Sequence, residues 1–443
     1  MSKYTGLVFF PAFDWAISPT HPEREERLLY TRDQLLEEGV LDFPDIIEYK
    51  AKFADKQDIL RTHFCLPSFE NVITDAHLIA AGSAILIGEA WHHREIKNGF
   101  ALVRPPGHHA MHVTHGNRGF CNINNEAIMI EYLRKKFGYR KIAIVDTDVH
   151  HGDGTQDIFY HDPDVLFISL HQDGRTLFPG SGFINELGGP NAYGKTLNIP
   201  LLPGTGDQGI NYVFDNLILP VLEEFKPEII INSAGQDNHF TDPLANMKVT
   251  AFGYGSITKK LNPDIMVLEG GYAVETALPY VNLAITLALA GKDFSQIQEP
   301  QLKESMLKET SENMEYIKKL CEKLYLIWQN HTNIDLTKIF GKDDYYTTNR
   351  QIFYDTDYFI VEQEEAVRRC SDCGGLIIFK SRRKEGRKNP TFLCISIPIY
   401  ACPRCQQEGK DRFLQECRNN NFEQVFLQNK PEDTYLTKDD YYG

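Results

Sequence analysis

The chain reads as an α/β protein built on a central, mostly parallel sheet flanked by helices, with a small zinc-ribbon-like unit behind it. Three observations predict this. Apolar, β-branched runs such as Lys141-Ile-Ala-Ile-Val145, Ile229-Ile-Ile and Ile265-Met-Val-Leu268 alternate with helical patterns, as in a parallel sheet covered on both faces. Each run leads into side chains that carry chemistry, and open parallel sheets gather ligands at the carboxyl ends of their strands. Two Cys-x-x-Cys pairs lie close together near the C-terminus. At 443 residues the chain exceeds one ordinary core, which suits a large domain over 1–335, a connector over 336–364, a ribbon over 365–410 and a polar tail over 411–443.

In chain order, Arg104-Pro-Pro-Gly107-His108-His109-Ala110 sets adjacent histidines after a rigid, glycine-containing turn. The run ending at Val145 opens into Asp146-Thr-Asp148-Val-His150-His151-Gly152-Asp153. Side chains alternate along a strand, so Asp146, Asp148 and His150 would share a face if the strand ran on. Two carboxylates and an imidazole suit Zn2+ or another first-row divalent metal better than Ca2+ or Mg2+. Taken alone, that segment also suits a hydrogen-bonded turn. Two further runs end in Asp237 and in Glu-Gly-Gly-Tyr272, which brings more reactive groups to the same sheet edge.

From Asp293 to about His331 the composition turns helical and charged, with Leu302, Met306, Met314, Ile317, Leu320, Leu324 and Ile327 marking one amphipathic face. The stripe is read as packing on the large domain. A polar stretch, Gly341–Arg350, then leads to Cys370-Ser-Asp-Cys373 and Cys402-Pro-Arg-Cys405, separated by 28 residues. Four thiolates can hold one tetrahedral Zn2+, and a unit this small needs such a staple. The gap exceeds the usual spacing of about 15 to 20 residues. Within it, Lys380-Ser-Arg-Arg383-Lys384-Glu-Gly-Arg387-Lys388 is a basic run read first as a solvated hairpin tip. Contact with phosphate, nucleic acid or an acidic partner is the alternative.

The formal charge of -15 argues against broad nucleic-acid binding and suits attraction of a cationic substrate. Nine cysteines, four of them in knuckles, favour metal-bound thiolates in a reducing compartment over a disulfide framework. The sequence shows neither a cleavable signal nor an apolar run long enough for a membrane span. A cytoplasmic protein is the expectation.

The motifs above resemble, in order, those of the histone deacetylase and acetylpolyamine amidohydrolase superfamily, with the class II form of the tandem-histidine motif. Further matches are His21-Pro-Glu-Arg-Glu-Glu-Arg27-Leu, Gly119-Phe120-Cys121-Asn-Ile-Asn124, Ser169-Leu170-His171 and Phe178-Pro-Gly-Ser-Gly182. The resemblance implies the arginase/deacetylase fold and zinc-dependent hydrolysis of acyl amides. It also implies roles: Asp148, His150 and Asp237 as ligands of a catalytic Zn2+, and His108 and His109 as the catalytic histidines, with His109 the general base. Asp146 and Asp153 would orient these two, and Tyr272 would donate to the oxyanion. Phe120 and Phe178 would wall the substrate tunnel beside Gly119, with Arg27 near an internal channel and Asp75 as a rim carboxylate. Potassium would bind near Asp146, Asp148, His150, Ser169 and Leu170, and again near Phe159, Asp162 and Val165.

Leu244 stands where polyamine-selective relatives carry a glutamate, and leucine offers a second ammonium no partner. Acyl-lysine in proteins or peptides is therefore the expected substrate. Acetylpolyamines or other small amides remain the enzymatic alternative, and a non-catalytic binding or scaffold protein is the alternative from another class. The complete set of catalytic residue types favours the enzyme.

Overall fold

The computed structural model describes residues 2–303, 308–384, 389–419 and 421–442. Met306, Arg387 and Lys388, named above, lie outside the described residues. The first ten strands are β1 (Thr5–Phe10), β2 (Ile46–Tyr49), the two-residue β3 (Phe64–Cys65), β4 (Asn98–Val103), the two-residue β5 (Val113–Thr114), β6 (Ile142–Asp146), β7 (Val165–Gln172), β8 (Thr196–Leu201), β9 (Ile229–Ala234) and β10 (Ile265–Leu268). Eight of them form one sheet in the order β2-β1-β4-β10-β9-β6-β7-β8. Every neighbouring pair in it is parallel.

The period of two explains why these strands read as unbroken apolar runs. Ala143 and Val145 enter one core with Leu166 and Ile168, while Ile142 and Ile144 enter a second core with Val165 and Phe167. A strand buried on both faces has no polar side to show. Helices Ala251–Leu261, Leu278–Leu289 and Ser311–Asn330 cover the first face, and Asp75–His92 and Asn125–Phe137 cover the second. In Ser311–Asn330 the expected stripe buries Ile317, Leu320 and Leu324, with Met314 and Ile327 packed at its margin. Leu302 departs from the expectation: it precedes that helix and is exposed.

The rest of the chain forms a second sheet of β11 (Tyr345–Tyr354), β12 (Phe359–Arg368), β13 (Ile377–Lys384), β14 (Thr391–Ile397), β15 (Gln424–Asn429) and β16 (Thr434–Thr437), in that spatial order. All pairs are antiparallel except β14 and β15, which run parallel, with helix Pro403–Asn419 between them in sequence. The connector and tail expected at 336–364 and 411–443 are therefore corrected. The connector holds β11 and most of β12, and the tail holds the end of that helix, β15 and β16. Both edge strands mix polar and apolar residues on their open face, with Phe353 and Leu436 exposed, so they lack the apolar run that betrays a central strand. β15 is buried but offers only Val425-Phe-Leu427 as signal.

One face of this sheet packs beneath its helix, burying Leu393, Ile395, Phe413 and Val425. The other face shares a core with the first unit: Phe379, Phe392 and Phe426 pack with Phe64, Leu66 and Val113. The two units are docked through apolar contact as well as through ion pairs.

Candidate active site

The four central strands β4, β10, β9 and β6 point their carboxyl ends at one place. β6 stops at Asp146, so the three side chains after Val145 do not share a face as an extended strand would have them. The chain bends instead. Asp146 turns to His108, while Asp148 and His150 meet Asp237 from the end of β9, with all three ligand atoms within 4.8 Å of one another. His150 Nδ1 lies 3.1 Å from Asp148 Oδ1 and 3.1 Å from Asp237 Oδ2. Burial lowers the His150 pKa, but hydrogen bonds and charge from the two carboxylates outweigh it and push it up to about 10. Such a site attracts positive charge. Gly270 completes the cradle: its N–H donates to Asp148 Oδ2 at 2.7 Å, and a Cβ there would fall 2.2 Å from Asp237 Oδ2. Two carboxylates and one imidazole on a backbone that makes room fit a divalent metal with open positions.

The tandem histidines face this triad in unlike environments. His108 Nδ1 is 3.1 Å from Asp146 Oδ2, and His109 Nδ1 is 2.8 Å from Asp153 Oδ1. Burial opposes charge on His108, yet Asp148 and Asp146 raise its pKa well above the imidazole range. Burial and the neighbouring His108 charge push His109 down to about 3 in spite of Asp153. Two adjacent imidazoles driven apart in this way divide into a charged and a neutral partner. Arg118 grips Asp153 with Nη1 at 2.9 Å and Nη2 at 2.6 Å, which holds that carboxyl below its usual range despite its burial.

Tyr272 closes the site from the end of β10. Its N–H donates to Asp242 Oδ2 at 2.7 Å, and its ring meets Phe120 edge-on with centroids 5.5 Å apart. Burial drives its pKa well above 10, although Arg27 opposes the shift, so the phenol keeps its proton. Arg27 is wholly buried: Nε donates to Gly271 O at 2.7 Å, Nη2 to Glu269 O, and the guanidinium lies 4.9 Å from the Tyr272 ring centroid. It therefore secures the Gly-Gly turn that carries Tyr272.

A cavity of 260 Å³ leads to these groups, lined by His108, His109, Gly119, Phe120, His150, Phe178, Leu244, Tyr272 and Asp355, among others. Gly119 has φ +53°, and a Cβ there would lie 2.4 Å from His109 Cδ2 and 2.9 Å from Phe178 Cε1. Only glycine leaves the passage open. Asp75 stands exposed in the first turn of its helix and is not among the lining residues. The carboxylate found at the lining is Asp355, from the turn between β11 and β12. Of the residues expected around potassium, Asp146 pairs with Ser169 across β6 and β7, next to Leu170, while the Phe159 and Asp162 carbonyls accept turn hydrogen bonds.

Four supporting residues escaped the sequence. Glu269 Oε2 accepts the N–H groups of Gly107 and His108 at 2.7 and 3.0 Å, which fixes the histidine loop. Asp242, pushed up to about 7 by burial and by the charge of Asp237, anchors Tyr272. Arg118 and Asp355 complete the set. Glu269 alone had a local signal, since it opens the Gly-Gly-Tyr motif.

The second metal-ligand cluster comprises Cys370, Cys373, Cys402 and Cys405, and it fits a zinc ribbon. Cys370 Sγ lies 3.7 Å from Cys373 Sγ and 3.8 Å from Cys402 Sγ. Those separations match the edge of about 3.8 Å of a tetrahedron with Zn–S near 2.3 Å and exclude a disulfide. The long gap is filled by β13 and β14, both inner strands of the six-stranded sheet. The basic run is matched across strands: Lys380 pairs with Glu364 at 2.5 Å, and Arg382 and Lys384 pair with Glu362.

A parallel α/β sheet whose central strand ends converge on tandem histidines, a two-carboxylate metal-ligand triad and a buried tyrosine defines a hydrolase of the deacetylase class. Residues 65–289 match the histone deacetylase domain family. A probable deacetylase of Archaeoglobus fulgidus is 43% identical over 358 residues, covering 72% of this chain and 98% of that protein. The chain belongs to the histone deacetylase family. It is also 41% identical over 239 residues to Histone deacetylase 9 of Homo sapiens, covering 51% of this chain and 23% of that one. For a histone deacetylase-like amidohydrolase of Pseudomonas aeruginosa the identity is 37% over 240 residues, covering 50% and 60%. The solved HDA15 HD domain superposes with a TM-score of 0.64 at 28% identity, covering 77% of this chain and all of that one.

Proposed function

We propose that this deacetylase-family hydrolase uses Zn2+ to remove acetyl or other acyl groups from lysine side chains of proteins or peptides. The observation that carries this reading is the meeting of the Asp148, His150 and Asp237 triad with a neutral His109 and a protonated Tyr272 at the base of one aromatic-walled cavity. Phe120 and Phe178 hold the methylene chain. Asp153 engages His109 Nδ1 and leaves Nε2 to take a proton from the attacking water and return it to the departing amine. Tyr272 donates its hydroxyl proton in a hydrogen bond to the carbonyl oxygen as negative charge develops. His108, held charged by Asp146 and Asp148, adds positive potential beside it. Zn2+ on the triad supplies Lewis acidity toward the carbonyl and the water.

Deacylation of small acetylated amines is the second reading, favoured by the acidic Asp355 at the lining. The cysteine cluster is read as a structural zinc site, residues 1–335 as the catalytic domain, and the main-sheet carbonyls near Ser169 and Leu170 as a potassium site. The four-thiolate cluster suits a reducing compartment such as the cytoplasm. Among the described residues no helix is long and apolar enough to cross a membrane.

The test is hydrolysis of an acetyl-lysine peptide by the zinc-loaded protein, beside longer acyl-lysines and acetylated diamines. Hydroxamates are expected to inhibit by chelation, and Asp237→Ala to abolish both the triad's metal and turnover. Unchanged turnover after verified loss of that metal rejects the mechanism.

A further inference from the structure

The second sheet reaches into the candidate active site. The end of β11 and the turn after it engage three consecutive residues of the loop that carries Gly119: Asp357 Oδ2 accepts the Asn117 N–H at 2.9 Å, Phe353 O accepts Arg118 Nε–H at 3.2 Å, and Asp355 Oδ1 accepts the Gly119 N–H at 2.9 Å. Behind the turn, Tyr354 Oη accepts the His115 N–H at 3.0 Å, and Ile352, Tyr354 and Phe359 bury against Met111. The turn is therefore anchored.

Asp355 thus arrives at the tunnel lining with one oxygen committed and one to spare. Among the described residues, nothing hydrogen-bonds or ion-pairs with Oδ2. Arg118, bonded to Gly119 in sequence, is spent on Asp153 and the Phe353 carbonyl. The neighbouring lining is apolar, with Phe120, Leu177, Phe178 and Leu244. Asp355 is half-buried, and its free oxygen beside such walls is open to a cation arriving with the substrate.

We propose that Asp355 is a specificity-determining residue, selecting substrates that carry a second positive charge, an alkylammonium or guanidinium, near the mouth of the tunnel. This rests on the hydrolase reading above. It assigns the C-terminal sheet a share in substrate recognition, although the family match ends at residue 289. The charge can belong to an acetylated diamine or to a basic residue flanking an acetyl-lysine.

Two matched pairs separate those sources: acetylcadaverine against N-pentylacetamide, and acetyl-lysine peptides flanked by arginine against citrulline. Asp355→Asn removes the charge while keeping an oxygen for the Gly119 N–H; Asp355→Ala removes both. In the zinc-loaded wild type the cationic member of at least one pair has the higher kcat/KM. Asp355→Asn is expected to shrink that ratio about fivefold, chiefly through KM, and added salt to shrink it in the wild type alone. A ratio unaltered by Asp355→Asn overturns the proposal, and so does an equal loss for both members, which marks a positioning role only. Affinities of amine-bearing and neutral alkyl hydroxamates for the same proteins give the ratio without turnover. Failure to hydrolyse any substrate therefore counts against the hydrolase reading, while the hydroxamate ratio still decides Asp355.

Discussion

Tyr272 presents its hydroxyl from a ring fixed on three sides: Asp242 holds its backbone, Phe120 meets its edge and Arg27 backs its face. As the proposed oxyanion donor it needs no reorganisation when charge develops, and losing such a donor costs about 3 kcal/mol. Tyr272→Phe keeps every packing contact and is expected to lower kcat about a hundredfold with KM, fold and metal content little changed. Near-wild-type kcat in steady-state assays would require a different donor. At this scale the sequence was legible wherever chemistry concentrates in short motifs, as in His108-His109 and Asp146 to Asp153. It was silent on Asp242 and Arg118, whose work is to hold a backbone amide or another side chain across the fold. Asp75, expected at the rim, stands exposed at a helix start and outside the cavity lining; local similarity says nothing about direction.

The β12–β13 turn and the start of helix Pro403–Asn419 bring two cysteines each, and the four meet at one point. Binding and folding are coupled at such a site. Cys370→Ser with Cys402→Ser is expected to remove one of two zinc ions per chain and to loosen this end of the sheet, whereas Asp148→Ala removes the other ion and leaves the sheet folded. Metal analysis with circular dichroism distinguishes the two. A single zinc per active wild-type chain, unaffected by the cysteine changes, would exclude a structural zinc at the cluster. Inner strands of the first sheet were legible from apolar runs, and the knuckles from spacing, whereas the inner strands β12 and β15 of the second sheet were not. Edge strands β11 and β16 were not, because a strand with one open side carries threonine, asparagine and arginine as readily as a loop does.

Across the whole molecule, the junction between the two sheets buries charge as well as apolar surface. Glu365 reaches His161 of the first unit, Arg350 meets Asp157 at 2.5 Å, and Lys430 lies 3.3 Å from Glu131. Burial alone would raise the Glu365 pKa, but His161 and Arg350 overturn that and depress it to about 2. A folded pKa below the unfolded value of about 4.3 stabilises the protein above that pH. The contribution fades as pH falls from there toward 2. Glu365→Gln is therefore expected to lower Tm at pH 7 and to differ less from wild type as the buffer is taken from pH 5 to pH 3. A calorimetric gap that ignores pH would refute the pairing. None of this junction was legible, since its partners lie far apart in sequence and each looks like an ordinary surface charge until the sheets meet.

The hairpin turn that bears Asp355 also sets an order of events. Every group assigned to the chemistry, from His108 to Tyr272, leaves the ribosome before Asp355 does, and domains fold as units beginning with the N-terminal one. Reactivity is thus encoded first and discrimination last. Premature termination before Tyr345 would remove the proposed selectivity and, at the same stroke, uncover Phe64, Leu66 and Val113. An indiscriminate enzyme would then carry an exposed apolar patch, the feature by which quality-control machinery recognises an unfinished chain.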